Sequence, residues 1–409
     1  MNGKLTRRSW MQRVAAGGAA LAIDSKAHAQ AGEPLPKLKK GINFSNWLAN
    51  ARRQPMFERD FAQVRQAGFD HIRLPVNPDE YGFIFDENRK GPPKIDFTLM
   101  DSAIALANAQ GMAVILDVHP SGRFKDTLQK NQWAQTQFVE MWEAIAKHYE
   151  NSSPKQLVFE LLNEPQYYRE EKNWQALAEK TAQAIRATGD KHLLVVAGAR
   201  GSSIDGLLLM KPLADKRILY SFHDYEPYII THQGVRKGFE NKSVKDFDHL
   251  PYPSTQAVKD ASAYAPNAKN PPQAAQELED YKQQKWDARQ VAGRIRLAAQ
   301  WGEDNGVPVT CGEFGVLRTH ADAQTRYGWM GDMRKALEKE NIPWQVWDYA
   351  DLFSITTPEG KISGPDKLDE SLRLAEPKKG RHVFDPEAFE ALGLTPLKAQ
   401  KRPAGARAK

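Results

Sequence analysis

The stretch Val158-Phe159-Glu160-Leu161-Leu162-Asn163-Glu164-Pro165 decides how the rest of the chain is read. Leu157 to Leu162 are mostly apolar and predict a short buried β-strand. The strand stops on an amide, a carboxylic acid and a proline. Pro165 has no backbone N–H to give to a ladder, and its ring steers Glu164 away from helical geometry, so pairing ends there. A carboxylate at the carboxyl end of a buried strand is where α/β barrels keep their chemistry.

Working outward, seven more apolar segments predict strands: Gly41–Phe44, His71–Pro75, Ala113–Val118, His192–Ala197, Ile218–Phe222, Val307–Cys311 and Trp344–Trp347. Helical periodicity fills the gaps. Phe138, Met141, Trp142, Ile145 and Tyr149 share one face, as do Met100, Ala103, Ile104 and Ala107. Trp174, Leu177, Ala178 and Thr181 keep the same spacing, and Val291, Ile295, Ala298 and Ala299 repeat it before the seventh strand. Short continuous apolar strands alternating with amphipathic helices imply a parallel sheet covered by helices. Eight such repeats close into a (β/α)8 TIM barrel, an α/β fold in a single domain spanning 35–395. An open doubly wound sheet is the competing fold, but no glycine-rich phosphate loop follows the first strand.

One gap is anomalous. Residues 229–283 form a long β6–α6 insertion, rich in Pro, Asn, Lys and Tyr, with Pro251, Pro253, Pro266, Pro271 and Pro272. At the catalytic face of a barrel it reads as a cleft wall or lid. A terminal helix is signalled by Asp385 as cap, Pro386 at its first position, Phe389 and Leu392 on one face, and Gly393 after it.

Composition bounds the remainder. The 409 residues are 41% hydrophobic and 26% charged, the balance of a soluble globular protein with a sizeable core. Of the formal charge of +6, residues 1–29 carry +4 and the last twelve residues +5, so the body is near −3. The basic balance is therefore no argument for a nucleic-acid partner. Residues 396–409 read as a basic, solvated, poorly ordered tail. Cys311 is the one cysteine, which excludes an intramolecular disulfide, and its apolar setting marks a small core residue.

Residues 1–29 read as an export signal. Thr6-Arg7-Arg8-Ser9-Trp10-Met11-Gln12 supplies a twin-arginine pair, Val14 to Ile23 an apolar run, and Ala27-His28-Ala29 a cleavage site before Gln30. The run is too short to span a bilayer. The segment resembles a bacterial twin-arginine leader, which implies export of a folded protein to the periplasm or beyond.

The chemistry is read from strand ends. The second strand carries Arg73, the third Asp117-Val118-His119-Pro120, the fourth Asn163-Glu164-Pro165 and the sixth Phe222-His223-Asp224-Tyr225. The seventh ends in Gly312-Glu313-Phe314-Gly315 and the eighth in Trp347-Asp348-Tyr349. In a closed parallel barrel these side chains converge on one mouth. Two carboxylic acids flanking one pocket suit acetal hydrolysis, in which one protonates the leaving oxygen and the other attacks or activates water. Their surroundings must keep one protonated and the other ionised. Arg73 is expected to hold Glu313 as the anion, and a more apolar wall to let Glu164 keep its proton.

With those motifs in order, the chain resembles glycoside hydrolase family 5, the cellulase family of retaining (β/α)8 glycosidases. Asn163-Glu164-Pro165 matches its acid/base motif and Gly312-Glu313-Phe314-Gly315 its nucleophile motif, the match running from Gly41 to about Tyr349. The resemblance implies Glu164 as general acid then base, Glu313 as nucleophile, and Asn163 on the substrate 2-hydroxyl. It implies Arg73 and Tyr225 positioning Glu313, His119 and His223 lining the −1 subsite, and Trp347 flooring it. The implied substrate is a β-glucan, β-1,4-linked first, with β-1,3- or β-1,6-glucan and β-mannan as alternatives. The first strand, Gly41-Ile42-Asn43-Phe44-Ser45-Asn46-Trp47-Leu48, has the flavour of cellulases and β-1,3-glucanases alike.

No cofactor is implied, since carboxyl groups and water perform both steps. A metal-dependent barrel hydrolase would need His119, His223, Asp117 and Asp224 as ligands, yet no His-x-His closes the first strand. A non-catalytic carbohydrate-binding barrel would need one acid missing, and Glu164 and Glu313 are both present.

Overall fold

The computed structural model describes residues 35–49, 57–235, 243–358 and 382–397. Residues 1–29, where an export signal is expected, and the part of the expected tail beyond residue 397 lie outside the described residues. Eight parallel strands close into a barrel in sequence order. They are β1 Lys40–Asn43, β2 His71–Val76, β3 Ala113–Val118, β4 Leu157–Glu160, β5 Leu193–Ala197, β6 Ile218–His223, β7 Val309–Phe314 and β8 Trp344–Val346. Pairing of Gly41 with His71 starts the ring, and pairing of Lys40 with Trp344 closes it.

The covering helices are α1 Glu58–Gln66, α2 Thr98–Ala109, α3 Gln132–His148, α4 Glu171–Ala187, α5 Ile204–Leu208, α6 Ala288–Asn305, α7 Ala323–Lys339 and α8 Pro386–Ala391. Their apolar faces are those the periodicity predicts: Phe138, Met141, Trp142 and Ile145 of α3 are buried, as are Trp174, Leu177, Ala178 and Thr181 of α4. Strand residues alternate between two environments, as the pleat requires. Ile72, Leu74, Leu157 and Phe159 point to the helices and join the large core. Ile115, Val158, Leu193, Val195 and Leu219 form a separate apolar cluster, the plug of the barrel interior.

Three departures from the sequence reading stand out. The fourth strand ends at Glu160 rather than Leu162, although Leu161 and Asn163 still donate to Val195 and Val118 at 3.0 and 2.8 Å. A small antiparallel hairpin, β9 Thr356–Pro358 with β10 His382–Phe384, follows the barrel. Asp385 precedes α8 but makes no side-chain cap. Its carboxylate instead accepts from the Tyr327 hydroxyl at 2.6 Å and the Thr357 hydroxyl at 2.8 Å, beside Arg318 and Arg326.

The described part of the insertion, 229–235 and 243–283, is a folded helical layer. It holds short turns at Ser243–Asp246, Ser254–Gln256 and Ala261–Ala263 and a full helix, Pro271–Gln283, started by Asn270 and two prolines. Val244, Phe247, Leu250, Tyr252, Leu278 and Tyr281 are buried. The layer is fastened to α7 through Tyr252, whose hydroxyl donates to Asp332 at 3.0 Å, and to the β7–α7 loop through His249 N–H and His320 O at 2.8 Å. Its root turns toward the barrel mouth, where His232 packs on Tyr225 and Phe353 with ring centres 5.1 and 5.2 Å apart.

Candidate active site

The site is built around Arg73, buried on β2 and facing the lumen. Its Nε and Nη2 donate to both oxygens of Glu160 at 2.7 and 2.9 Å, a bidentate pair. Nη1 donates to Glu313 Oε1 at 2.7 Å and to Asn43 Oδ1 at 3.0 Å. Nη2 also donates to Asn163 Oδ1 at 3.0 Å and lies 2.9 Å from Asp117 Oδ2. One cation thus binds carboxylates from β3, β4 and β7, and every one of them is nearly or fully buried. Desolvation opposes the guanidinium charge, but Asp117, Glu160 and Glu313 raise its pKa well above normal, so Arg73 is permanently charged.

Glu313 is held from two sides. Arg73 takes Oε1, and the Tyr225 hydroxyl donates to Oε2 at 2.9 Å. Burial, together with Glu313 and Glu164, pushes the Tyr225 phenol well above its usual range, so it stays a donor. His223 Nδ1 sits between the acids, 3.4 Å from Glu164 Oε1 and 3.5 Å from Glu313 Oε2. One oxygen of each acid and a ring nitrogen of His223 lie within 4.8 Å of one another. Behind them Gly312 is obligatory: a Cβ there would stand 2.7 Å from Ser221 Oγ and 2.9 Å from His223 Nε2.

Glu164 occupies the left-handed region, φ 46°, rarely entered by residues other than Gly, Asn and Asp. Its N–H donates to Ser202 Oγ at 3.2 Å, and the carbonyl of Pro165 accepts from Gly201 N–H at 2.9 Å. These bonds hold a conformation that costs about 1–3 kcal/mol elsewhere, the kind of strain that gathers at functional sites.

The expected apolar wall around Glu164 is absent. Burial alone would raise its pKa, but the hydrogen bond with His223 and the charges of Lys125 and His223 outweigh it and hold the group near about 2. His223 moves the opposite way: burial lowers it, and Glu313 and Glu164 more than compensate, so its pKa rises. Between the two, the surrounding charges favour the proton on His223 over Glu164.

His119 is half-buried and kept neutral. Burial, helped by Arg73 and Lys125, takes its pKa down to about 3. Its Nδ1 meets Asp117 Oδ2 at 2.8 Å, its Nε2 faces the Asn163 amide at 3.2 Å, and its ring stacks on Trp347 at 5.6 Å and 17°. Asn163 is thereby fixed at both ends, by Arg73 and by His119. All eight residues singled out from the sequence converge on this mouth: Arg73, His119, Asn163, Glu164, His223, Tyr225, Glu313 and Trp347.

Three further groups escaped the sequence reading. Glu160 lies inside the opening stretch and was counted there as part of an apolar strand. Asn43 ties β1 to the carbonyls of Gly312 and Val346 at 3.1 and 3.2 Å. Lys125 reaches in from the helix Gly122–Lys130, its Nζ 4.0 Å from Glu164 Oε2.

The metal reading finds no support in the ligands it needs. Asp224 is bound to Arg294 at 2.7 Å, and Asp117 to Arg73 and His119. The cluster with ligand spacing among the described residues, Glu164, His223 and Glu313, has the Arg73 guanidinium against it.

A closed (β/α)8 barrel with paired acids at the ends of β4 and β7 defines the class of barrel glycosidases. The family model described as Cellulase (glycosyl hydrolase family 5) matches residues 31–352, and the chain belongs to that family. It is a glycosidase acting on O-glycosyl compounds. It is similar to Endoglucanase 3 of Fibrobacter succinogenes, 29% identical over 345 residues, which cover 81% of this chain and 52% of that protein. The chain thus spans about half the length of that relative. Endoglucanase C of Acetivibrio thermocellus is 29% identical over 333 residues, covering 77% of this chain and 92% of that one. Among solved structures, the cellulose synthase subunit Z of Clostridioides difficile superposes with a TM-score of 0.65 at 26% identity, over 87% of this chain and 99% of that one.

Proposed function

We propose that this chain is a retaining endo-β-1,4-glucanase, with Glu313 as nucleophile and Glu164 as general acid and then base. The observation that carries the reading is the approach of Glu164 and Glu313 oxygens to within 4.8 Å, with Arg73 and Tyr225 each donating to one oxygen of Glu313. Carboxyl groups about 5–5.5 Å apart leave no room for a water between acid and sugar, so the second carboxylate attacks directly. Glu313 then bonds to the anomeric carbon while Glu164 protonates the departing oxygen. In the second step Glu164 takes a proton from water, which displaces Glu313. Asn163, clamped by Arg73 and His119, is placed to hold the 2-hydroxyl, and Trp347 to floor the sugar. The endo action is drawn from the two endoglucanase relatives, and the β-1,4 linkage from the range of the family.

The test is Glu313→Ala on soluble β-glucan. Turnover should fall by about a thousandfold or more, and azide should restore it with inversion at the anomeric carbon. Unchanged turnover in that variant refutes the assignment. A panel of β-1,4-, β-1,3- and β-1,6-glucans and β-mannan, with products sized by chromatography, tests the linkage and the endo action.

We also infer that residues 1–29 direct export through the twin-arginine route to the periplasm or beyond, on the strength of Arg7-Arg8 and the Ala27-His28-Ala29 site. Replacing Arg7 and Arg8 by Lys should leave the protein in the cytoplasmic fraction; undiminished export would count against the reading.

A further inference from the structure

Lys125 acts on Glu164 through its charge, and no step above gives it a contact with substrate, yet the fold delivers it to the acid/base. Its helix, Gly122–Lys130, is capped by Ser121, whose Oγ accepts from Phe124 N–H at 3.3 Å. Phe124 and Leu128 are buried, and the Phe124 ring packs on Phe85 with centres 4.2 Å apart. This anchors the helix and turns the next residue inward, so that Lys125 is only 7% exposed. Its Nζ is 4.0 Å from Glu164 Oε2, a charge contact too long for a hydrogen bond. Among the described residues no acceptor lies within hydrogen-bond distance of that ammonium.

An ammonium carries three donors, and the protein takes up none of these by a hydrogen bond, which leaves them free for an incoming acceptor. Such a group is built for an acceptor that arrives from outside. The direction is set by Glu164. Its Oε1 is engaged by His223 at 3.4 Å, which leaves Oε2, on the Lys125 side, to meet the oxygen that bridges two sugars. Whatever binds Oε2 stands next to Nζ as well.

We propose that Lys125 is a substrate-binding residue that donates to a hydroxyl oxygen of the departing sugar, next to the bridging oxygen, and so selects sugar leaving groups. It rests on the retaining-glucanase reading.

Two substrates with a cellobiosyl donor separate the effects: cellotetraose, whose leaving group is a sugar, and 2,4-dinitrophenyl β-cellobioside, whose leaving group offers no hydroxyl and departs without protonation. In Lys125→Met, kcat/KM on cellotetraose should fall about tenfold or more, the loss expected for a charge-assisted bond, while the aryl substrate changes by less than about twofold. Lys125→Arg should recover part of the cellotetraose activity. The aryl substrate doubles as the check on folding, and Lys125→Gln, nearer in polarity, serves if the Met variant does not fold. Equal losses on both substrates, or none on cellotetraose, overturn the proposal. Wild-type protein that cleaves neither substrate overturns the glucanase reading itself.

Discussion

Asp117→Asn makes the most quantitative test of the buried charge network. Asp117 is fully buried, its Oδ2 shared between Arg73 at 2.9 Å and His119 at 2.8 Å, and its Oδ1 has no hydrogen-bond partner. Burial raises its pKa more than Arg73, His223 and Lys125 lower it, and the carboxyl is carried from an ordinary 3.8 to about 6. A gap of about 2 units at 1.36 kcal/mol each makes the ionised group cost the fold about 3 kcal/mol. The sign follows from proton binding. Between 3.8 and about 6 the native state holds the proton more tightly than the unfolded chain, so this contribution to stability falls as pH rises through that window. The penalty is complete above the upper value and absent below the lower one. Asparagine cannot ionise and escapes it, but gives up a charge-assisted bond to Arg73 worth about 1.5–3 kcal/mol. Near neutral pH the two effects roughly offset, so the informative quantity is the change of the difference with pH. Urea unfolding followed by tryptophan fluorescence at pH 4, 5, 6 and 7 should show the wild type losing about 3 kcal/mol relative to the variant across the series, at constant m-value. A flat difference, or a wild type that gains on the variant as pH rises, would refute the reasoning.

Gly312→Ala should cost about 1–3 kcal/mol of stability from overpacking. Its new methyl would lie 2.7 Å from Ser221 Oγ and 2.9 Å from His223 Nε2 and must displace the imidazole between the two acids, so kcat should fall about tenfold or more. Thermal melts and initial rates check both, and a variant with wild-type kcat would show that His223 is not held there by packing. Prolonged EDTA dialysis should change turnover by less than about twofold, because Arg73 and the Tyr225 hydroxyl already engage the two oxygens of Glu313; loss restored by Zn²⁺ would reverse that conclusion.

The barrel was legible because parallel strands buried on both sides read as unbroken apolar runs. Ile218–His223 and Ala113–Val118 fall within one residue of the segments predicted from sequence. The convergence of Arg73, Glu164 and Glu313 was legible too, since closure of the barrel brings all strand ends to one mouth. What stayed hidden was contact across the lumen. Glu160 is two residues from Val158, and both point into the barrel by the strand period, so a charge in that apolar run demanded a partner. The partner, Arg73, lies 87 residues away, and nothing local identifies it. Lys125 escaped for a different reason: the helix that aims it at Glu164 is short and polar, and its inward face is fixed by Phe124 packing on Phe85. No helix is read within the insertion because five prolines outweigh its helix signal, although Asn270-Pro271-Pro272 is a regular start, with Asn270 Oδ1 accepting from Gln273 N–H at 3.3 Å.

On the proposed assignment, the electrostatics of the free site favour the second half of the reaction. Glu164 is held near about 2, next to Lys125 and a His223 of raised pKa, which is the state of a base awaiting a proton from water. The first half needs the reverse, a protonated Glu164. His223 Nδ1 is 3.4 Å from Glu164 Oε1, so the proton need travel only along that contact. Two changes on substrate binding push it that way. A sugar over Trp347 excludes water and raises the cost of keeping His223 and Glu164 as separate charges. The bridging oxygen at Oε2 then offers the carboxyl an acceptor for that proton. Once Glu313 is esterified it loses its charge, the field that held a proton on His223 weakens, and Glu164 is left as the remaining acceptor in the cluster. The same three groups can therefore supply an acid first and a base second without any residue moving.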